Sequence, residues 1–408
     1  MIALVISMGT LFAWALVAGR LARWSITAPV AMTAAGVVLT VGPHPLVQIG
    51  LTTSDAERAV EIILAVLLFT DATHVPPGVV HAQRRLLVRL LLLALPLTFA
   101  AGVLTGGLLF PAGHWWLVAL FAAVTVPVDL APAAELIGDT RLPSWLRGVL
   151  TVESGLNDGL LAPVFLLCLA GTEAHGESLA PDASSLGDAV AALLWAVVAG
   201  AVVGKPGGVL LRRAWLAGWT RPAAVRLGIL ALPLMAYALA IVLDGNGFVA
   251  AFVAGLLFTP ASRALPAPAL HLLEDTGTLL SLALWFVFGK VVTQAFAGDF
   301  DPRVVAYAAL SLTVVRIVPV LICLVGSGLD RADRLLLAWL GPRGLASIVF
   351  GLLAFISLAP ADPHAADLIG QVMTMTVLMS LVLHGLTYGP LAEHYARARR
   401  RATGADAN

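Results

Sequence analysis

Residues 152–161, VESGLNDGLL, put Glu153, Ser154, Asn157 and Asp158 inside a stretch otherwise as apolar as WLRGVLTV and LLAPVFLLCLAG. On a helix, Ser154 and Asp158 are spaced i, i+4, as are Glu153 and Asn157, so the four share one broad face. That face offers carboxylate, amide and hydroxyl oxygens with neither His nor Cys, the hard donors that suit a dehydrating alkali cation rather than a transition metal. A further acid, Asp129, stands between Pro127 and Pro132 in VPVDLAP. Burial and mutual repulsion disfavour two charged carboxylates side by side. Proton and cation therefore compete for such a site. If the site crosses a membrane only when one of them occupies it, the gradient of one drives the other.

The elements that must hold these residues are membrane spans. Of 408 residues, 60% are hydrophobic and 12% charged, a composition outside the range of soluble domains and within that of polytopic membrane proteins. Net charge is zero, and no basic block other than the C-terminal tail occurs, which excludes a nucleic-acid partner; the partner is the lipid bilayer. Cys168 and Cys323 stand in separate apolar runs and are read as packing residues. No cofactor is implied, since Gly245-Asn246-Gly247 follows no strand and reads as a tight turn rather than a phosphate loop.

Apolar runs predict an all-α chain of about thirteen transmembrane helices, near residues 2–19, 26–42, 58–75, 86–110, 115–137, 145–170, 187–210, 224–243, 246–260, 276–296, 303–327, 334–358 and 368–390. The first is expected to be a retained span rather than a cleaved leader. Odd-numbered connections and the tail carry most of the basic residues, among them Arg20, Arg84, Arg147, Arg212, Arg331 and Arg399, whereas the even-numbered ones hold Arg58 and Arg303. The positive-inside rule then puts the N-terminus outside and the C-terminus in the cytoplasm, in the cytoplasmic membrane. The transmembrane domain covers 1–390, with a first repeat over 1–170, a linking helix over 187–210 and a second repeat over 224–390, followed by a basic cytoplasmic tail over 391–408. The first six-helix repeat starts outside and the second inside, so the two are inverted. The fifth segment of each is broken, by Pro127 and Pro132 in one and by Gly341-Pro342-Arg343-Gly344 in the other. Interrupted helices at matching places of inverted repeats mark a transporter's site near the midplane, where the broken helices cross.

Asp129 lies twelve residues before Arg141 and Asp158 eleven after Arg147; at the helical rise, both are about 17 Å from the inner charges, so the carboxylates meet near mid-membrane. Asp71, thirteen residues before Arg84, is about 20 Å deep and is a candidate third acid. Lys290, Arg316 and Arg343 are embedded cations, tolerated where they pair or line a polar cavity. Lys290 is read as snorkelling outward and Arg316 as the structural partner of an acid. Arg343 is at a depth to neutralise Glu153, and that pair is expected to be structural. His384 is read as a packed histidine rather than a proton relay.

VESGLNDG resembles the E-S-x-x-N-D-G signature of bacterial NhaP-type Na+/H+ antiporters in the monovalent cation/proton antiporter superfamily. VPVDLAP, GNGFVAAFVAGLLF, GPRGLASIVF and TVLMSLVLHGLTYGPLAEHY are similar to further elements of that family, in the family's order and over nearly the whole chain. The resemblance implies secondary active exchange of Na+, or Li+ or K+, for H+. It implies ion binding by Asp158 and Asp129 with Asn157 and Ser154 assisting, so that these two carboxylates are the ligands of the transported Na+. It also implies a Glu153–Arg343 ion pair, a homodimer and electroneutral exchange. Two departures stand out. Val128 replaces the family's usual threonine before Asp129, and VLLFTDATHV has Thr70-Asp71 where a glutamate is common. Two rivals differ in class. An intramembrane aspartyl protease also apposes two aspartates, but neither Asp129 nor Asp158 has the Gly-x-Gly-Asp context. A cation channel would conduct without proton coupling.

Overall fold

The computed structural model describes residues 2–23, 26–42, 46–47, 50, 54–111, 114–130, 139, 141–174 and 183–402. The described elements are helices: α1 Ile2–Arg23, α2 Ala28–Thr40, α3 Ser54–Thr73, α4 Arg84–Leu109, α5 Trp115–Thr125, α6 Ser144–Glu173, α7 Ala183–Leu216, α8 Pro222–Val242, α9 Gly247–Ala261, α10 His271–Ala295, α11 Arg303–Cys323, α12 Arg331–Trp339, α13 Leu345–Leu358 and α14 Pro363–Ala402. Helices satisfy every backbone group internally, which a bilayer interior requires. Among the described residues seven helices are long and apolar enough to cross a membrane, and five apolar helices are shorter.

The contact pattern follows an inverted repeat. α2 packs on α10 as α3 packs on α9, and α4 packs on α5 as α11 on α12. Exchanging the first six segments for the last six turns each of these pairs into the other. Helices approach closely where side chains vanish: a Cβ on Gly36 would run into the carbonyl of Phe286, and one on Gly289 into that of Thr33, the small-residue packing typical of membrane helices.

Proline does not by itself decide where the chain breaks. Pro163, Pro206 and Pro233 lie within continuous helices, as bilayer helices allow. In α4 a π turn over Arg89–Ala94 precedes Pro96 and absorbs its missing donor, and the corresponding α11 is interrupted at Thr313. α5 ends at Thr125 and the chain leaves the helix over residues 126–130, while α12 ends at Trp339 and the chain stays outside any helix through Gly344. Residues 131–137 of the expected fifth span, with Pro132, lie outside the described residues.

Two apolar cores flank these breaks. One, with Leu86, Leu146, Leu336 and Tyr395, lies toward the end that carries Arg84, Arg147 and Arg397. The other, with Phe121, Phe165, Phe350 and Ile369, lies toward the opposite end. At the basic end Asp139 accepts from the Arg141 side chain and from Tyr388 Oη at 2.7 Å, tying the connection before α6 to α14. The Arg141 guanidinium, seconded by Tyr388, holds the Asp139 carboxyl down at about 2 against the opposing effect of burial.

Candidate ion site

The two extended segments cross. Asp129 N–H donates to the carbonyl of Pro342 at 2.8 Å, and Leu345 N–H donates to Asp129 Oδ2 at 2.6 Å. Leu345 is the first residue of α13, so the carboxylate of Asp129 caps a helix N-terminus, where free amides and the helix dipole favour an anion. The complementary arrangement serves Arg343: its Nη1 donates to the carbonyls of Val126 and Pro127 at 2.8 and 3.3 Å, at the C-terminal end of α5. Each broken helix thus meets a charge opposite in sign to its own end. The crossing is tight because Gly344 has no side chain. A Cβ there would land on the Asp129 carboxylate, 2.8 Å from Cγ. Gly344→Ala is therefore expected to misplace Asp129 and cut transport by roughly tenfold or more in a protein that still folds. Transport close to wild type in vesicles holding equal protein would refute that account.

α6 runs alongside. Ser154 Oγ accepts from Leu130 N–H at 3.3 Å. Gly155 lets α6 approach α3, where a Cβ would stand 3.2 Å from the carbonyl of Asp71. Asp158 and Asn157 are buried, at 6% and 1% exposure, and the Oδ1 atom of each receives no hydrogen bond. A cavity of about 530 Å³ brings Asp158, Asp129, Asp71 and Ser154 together, with Leu64, Leu67 and Val349 among its apolar walls. Asn157 is not among the residues that line it. The cavity extends past Thr151 to His74, which is half exposed and paired with Glu274 at 3.3 Å, so it reaches toward the basic end of the bundle. At the other end the Phe165 and Phe350 rings stack with centroids 4.5 Å apart and close the core.

The expected Glu153–Arg343 pair is corrected by the geometry. Glu153 Oε1 is 2.6 Å from Arg316 Nη2, with both side chains buried, and Arg343 instead serves the carbonyls of the α5 terminus. Residue depth is what pointed to Arg343, and depth fixes position along the membrane normal only. Arg316 on α11 stands on the side of α6 that Glu153 faces. The Arg316 guanidinium also lies under Gly341, 2.8 Å from where a Cβ would be, so the pair supports the second extended segment from below.

Three polar cavity residues are absent from the sequence-based set: Thr151, Ser281 and His74. Thr151 was findable, because it precedes Ser154 by three and Asp158 by seven, the spacing of one helix face. Ser281 shares a face of α10 with Glu274 and Thr278, but belongs to no motif that the sequence singles out.

Residues 6–394 match the family described as sodium/hydrogen exchanger, transmembrane. Over 284 residues the chain is 25% identical to the K(+)/H(+) antiporter NhaP of Alkalimonas amylolytica, covering 68% of this chain and 47% of that protein. The chain thus spans about half the length of that curated relative. Two solved structures of the sodium proton antiporter MjNhaP1 from Methanocaldococcus jannaschii share the fold at 20% identity. One, at pH 8, has a TM-score of 0.74 over 96% of this chain and 97% of the other, and an electron-microscopy structure has 0.66 over 95% and 96%. A match along nearly the whole length, on a fold whose broken helices cross at Asp129 beside the buried Asp158, establishes that this chain belongs to the sodium/hydrogen exchanger family.

Proposed function

We propose that the protein exchanges a monovalent cation for protons across the cytoplasmic membrane, with Asp158 as the carboxylate that carries either. The observation that carries this reading is the unequal state of the two central acids. Asp129 is held by the N-terminus of α13, whereas Asp158 Oδ1 is buried in the protein with no donor. A buried carboxylate oxygen without a donor is costly, and a bound proton or cation relieves that cost. Ser154 supplies a further oxygen, Asn157 stands beside Asp158, and Asp71 lines the same cavity. Asp129 acts chiefly as a fixed neighbour that favours a cation over an empty site. The cavity's reach to the basic end agrees with an inward-facing state, the N-terminus outside and the C-terminus in the cytoplasm. A homodimer, as the resemblance implies, belongs to this proposal as well.

The ion proposed is Na+, with Li+ handled alike. One observation favours K+ as a second reading: Val128 is 1% exposed and offers no oxygen beside Asp129, so a small, tightly hydrated ion has one protein ligand fewer. The relative from Alkalimonas amylolytica is named a K(+)/H(+) antiporter. Everted vesicles carrying a pH-sensitive dye test both readings, with Na+, Li+ and K+ added from about pH 6 to pH 9, where buried acids and cations compete. The expected result is dequenching by Na+ and Li+. A response to K+ alone would replace sodium by potassium, and cation flux without proton movement would replace the antiporter by a channel. Val128→Thr is expected to lower the half-saturating Na+ concentration roughly twofold or more, the order of one added oxygen contact, with proton coupling unchanged. An unaltered concentration would show that position 128 does not face the ion.

A further inference from the structure

The helix that comes after each broken segment carries one short pattern. In α6 it is Ser154-x-x-x-Asp158-Gly159-Leu160, and in α14 it is Ser380-x-x-x-His384-Gly385-Leu386. The correspondence is structural too. Ser154 Oγ accepts the Leu130 amide of the first extended segment at 3.3 Å, and Ser380 Oγ accepts the Arg343 amide of the second at 2.7 Å. Four residues later, on the same helix face, stands a titratable group: Asp158 in the first repeat and His384 in the second.

The surroundings of His384 fix its chemistry. Its Nε2 is 3.2 Å from the carbonyl of Trp339, which can only accept. Nδ1 is 3.2 Å from both Ser380 Oγ and the Ser380 carbonyl, and that carbonyl likewise only accepts, so the ring can donate to a carbonyl from either nitrogen. The Trp339 indole lies against the imidazole and donates to Thr387 Oγ1 at 3.0 Å. Ser380 and His384 are buried, at 0% and 2% exposure. Their hydrogen bonds span the second break: Trp339 is the last residue of α12, and Arg343 is the amide two residues before α13. Between them lies Pro342, whose carbonyl accepts from Asp129, and just beyond is Leu345, whose amide holds the Asp129 carboxylate.

We infer that Ser380 and His384 are positioning residues of the ion site, holding in the second repeat the places of Ser154 and Asp158 in the first and fixing the extended segment that orients Asp129. His384 supplies from within the protein the hydrogen that Asp158 takes from its load. The second repeat therefore carries a permanently filled counterpart of the transport site. The inference rests on the proposed role of the Asp158–Asp129 site.

The test is cation-dependent exchange in everted vesicles, read as half-saturating concentration and maximal rate separately, with Na+ and K+ as probes. Ser380→Ala and His384→Ala are expected to raise the half-saturating concentration about threefold or more, the order of one lost hydrogen bond, with the smaller change in maximal rate. Ser380→Thr keeps the acceptor and His384→Gln keeps a donor toward Trp339, so both are expected to return close to wild type. Should His384→Ala fail to accumulate, Ser380→Ala carries the test. Alanine variants that lower thermostability but leave the half-saturating concentration unchanged would overturn the inference, as would an alanine effect that threonine and glutamine do not relieve. Asp158→Asn is measured alongside: if it is inactive while the Ser380 and His384 variants are normal, this inference alone fails. If it transports normally, the underlying site assignment fails with it.

Discussion

Asp158→Asn is expected to reduce exchange to the level of vesicles lacking the protein, while leaving a protein that folds and melts like wild type. The amide keeps the shape of the side chain at a position 6% exposed, so packing around Gly159 and Phe252 is undisturbed. It removes a buried carboxylate that lines the cavity and has an oxygen without a donor. An amide takes up no proton near neutrality and offers a cation only a dipole, so neither half of the cycle is neutralised. Asp129→Asn is expected to be less absolute, because its oxygen toward Leu345 N–H survives as the amide carbonyl. Cation-induced dequenching is the measurement, with membrane content and detergent thermostability as controls. Asp158→Asn transporting near the wild-type rate would remove Asp158 from the mechanism.

The second large effect is on stability. Glu153→Ala and Arg316→Ala each leave a buried charge without its partner, which costs roughly 3–5 kcal/mol, and each variant should melt lower or accumulate poorly. Removing both partners should cost less than the two single losses together, since no lone charge remains. A double-mutant cycle decides which arginine matters. The coupling of Glu153 to Arg316, whose nitrogen is 2.6 Å from the glutamate, should exceed its coupling to Arg343. The reverse order would restore the pairing expected from sequence.

That pairing shows what sequence conveys here and what it does not. Hydrophobic runs and alternating basic connections place the spans, because bilayer thickness and charge asymmetry act along one axis. The same axis brings Asp129 and Asp158 to one level, and both line one cavity. Which arginine faces Glu153 depends on rotation about the helix axes, which depth alone does not fix. Proline content is likewise ambiguous. Pro163 sits inside a continuous α6, whereas the chain breaks at Pro127, where Arg343 of another segment stands ready to satisfy the carbonyls that the break exposes. A break of this kind is a property of the pair of segments, and only the fold brings the pair together. The role of His384 depends likewise on Trp339 and Arg343 lying opposite α14.

The crossing of the broken helices also limits what the membrane potential can act on. Asp129 and Arg343 are groups of opposite sign, each bound to the end of the other repeat's broken helix, and neither carries the load in the proposed cycle. The charge that changes is that of Asp158 with its load, and it is zero whether the load is a monovalent cation or a proton. A potential of about 100 mV does roughly 2.3 kcal/mol of work on each unit charge carried across. Here it would find none to carry in either direction. The cell's voltage would then neither drive nor oppose the exchange, and its direction would follow the concentrations of the two ions alone.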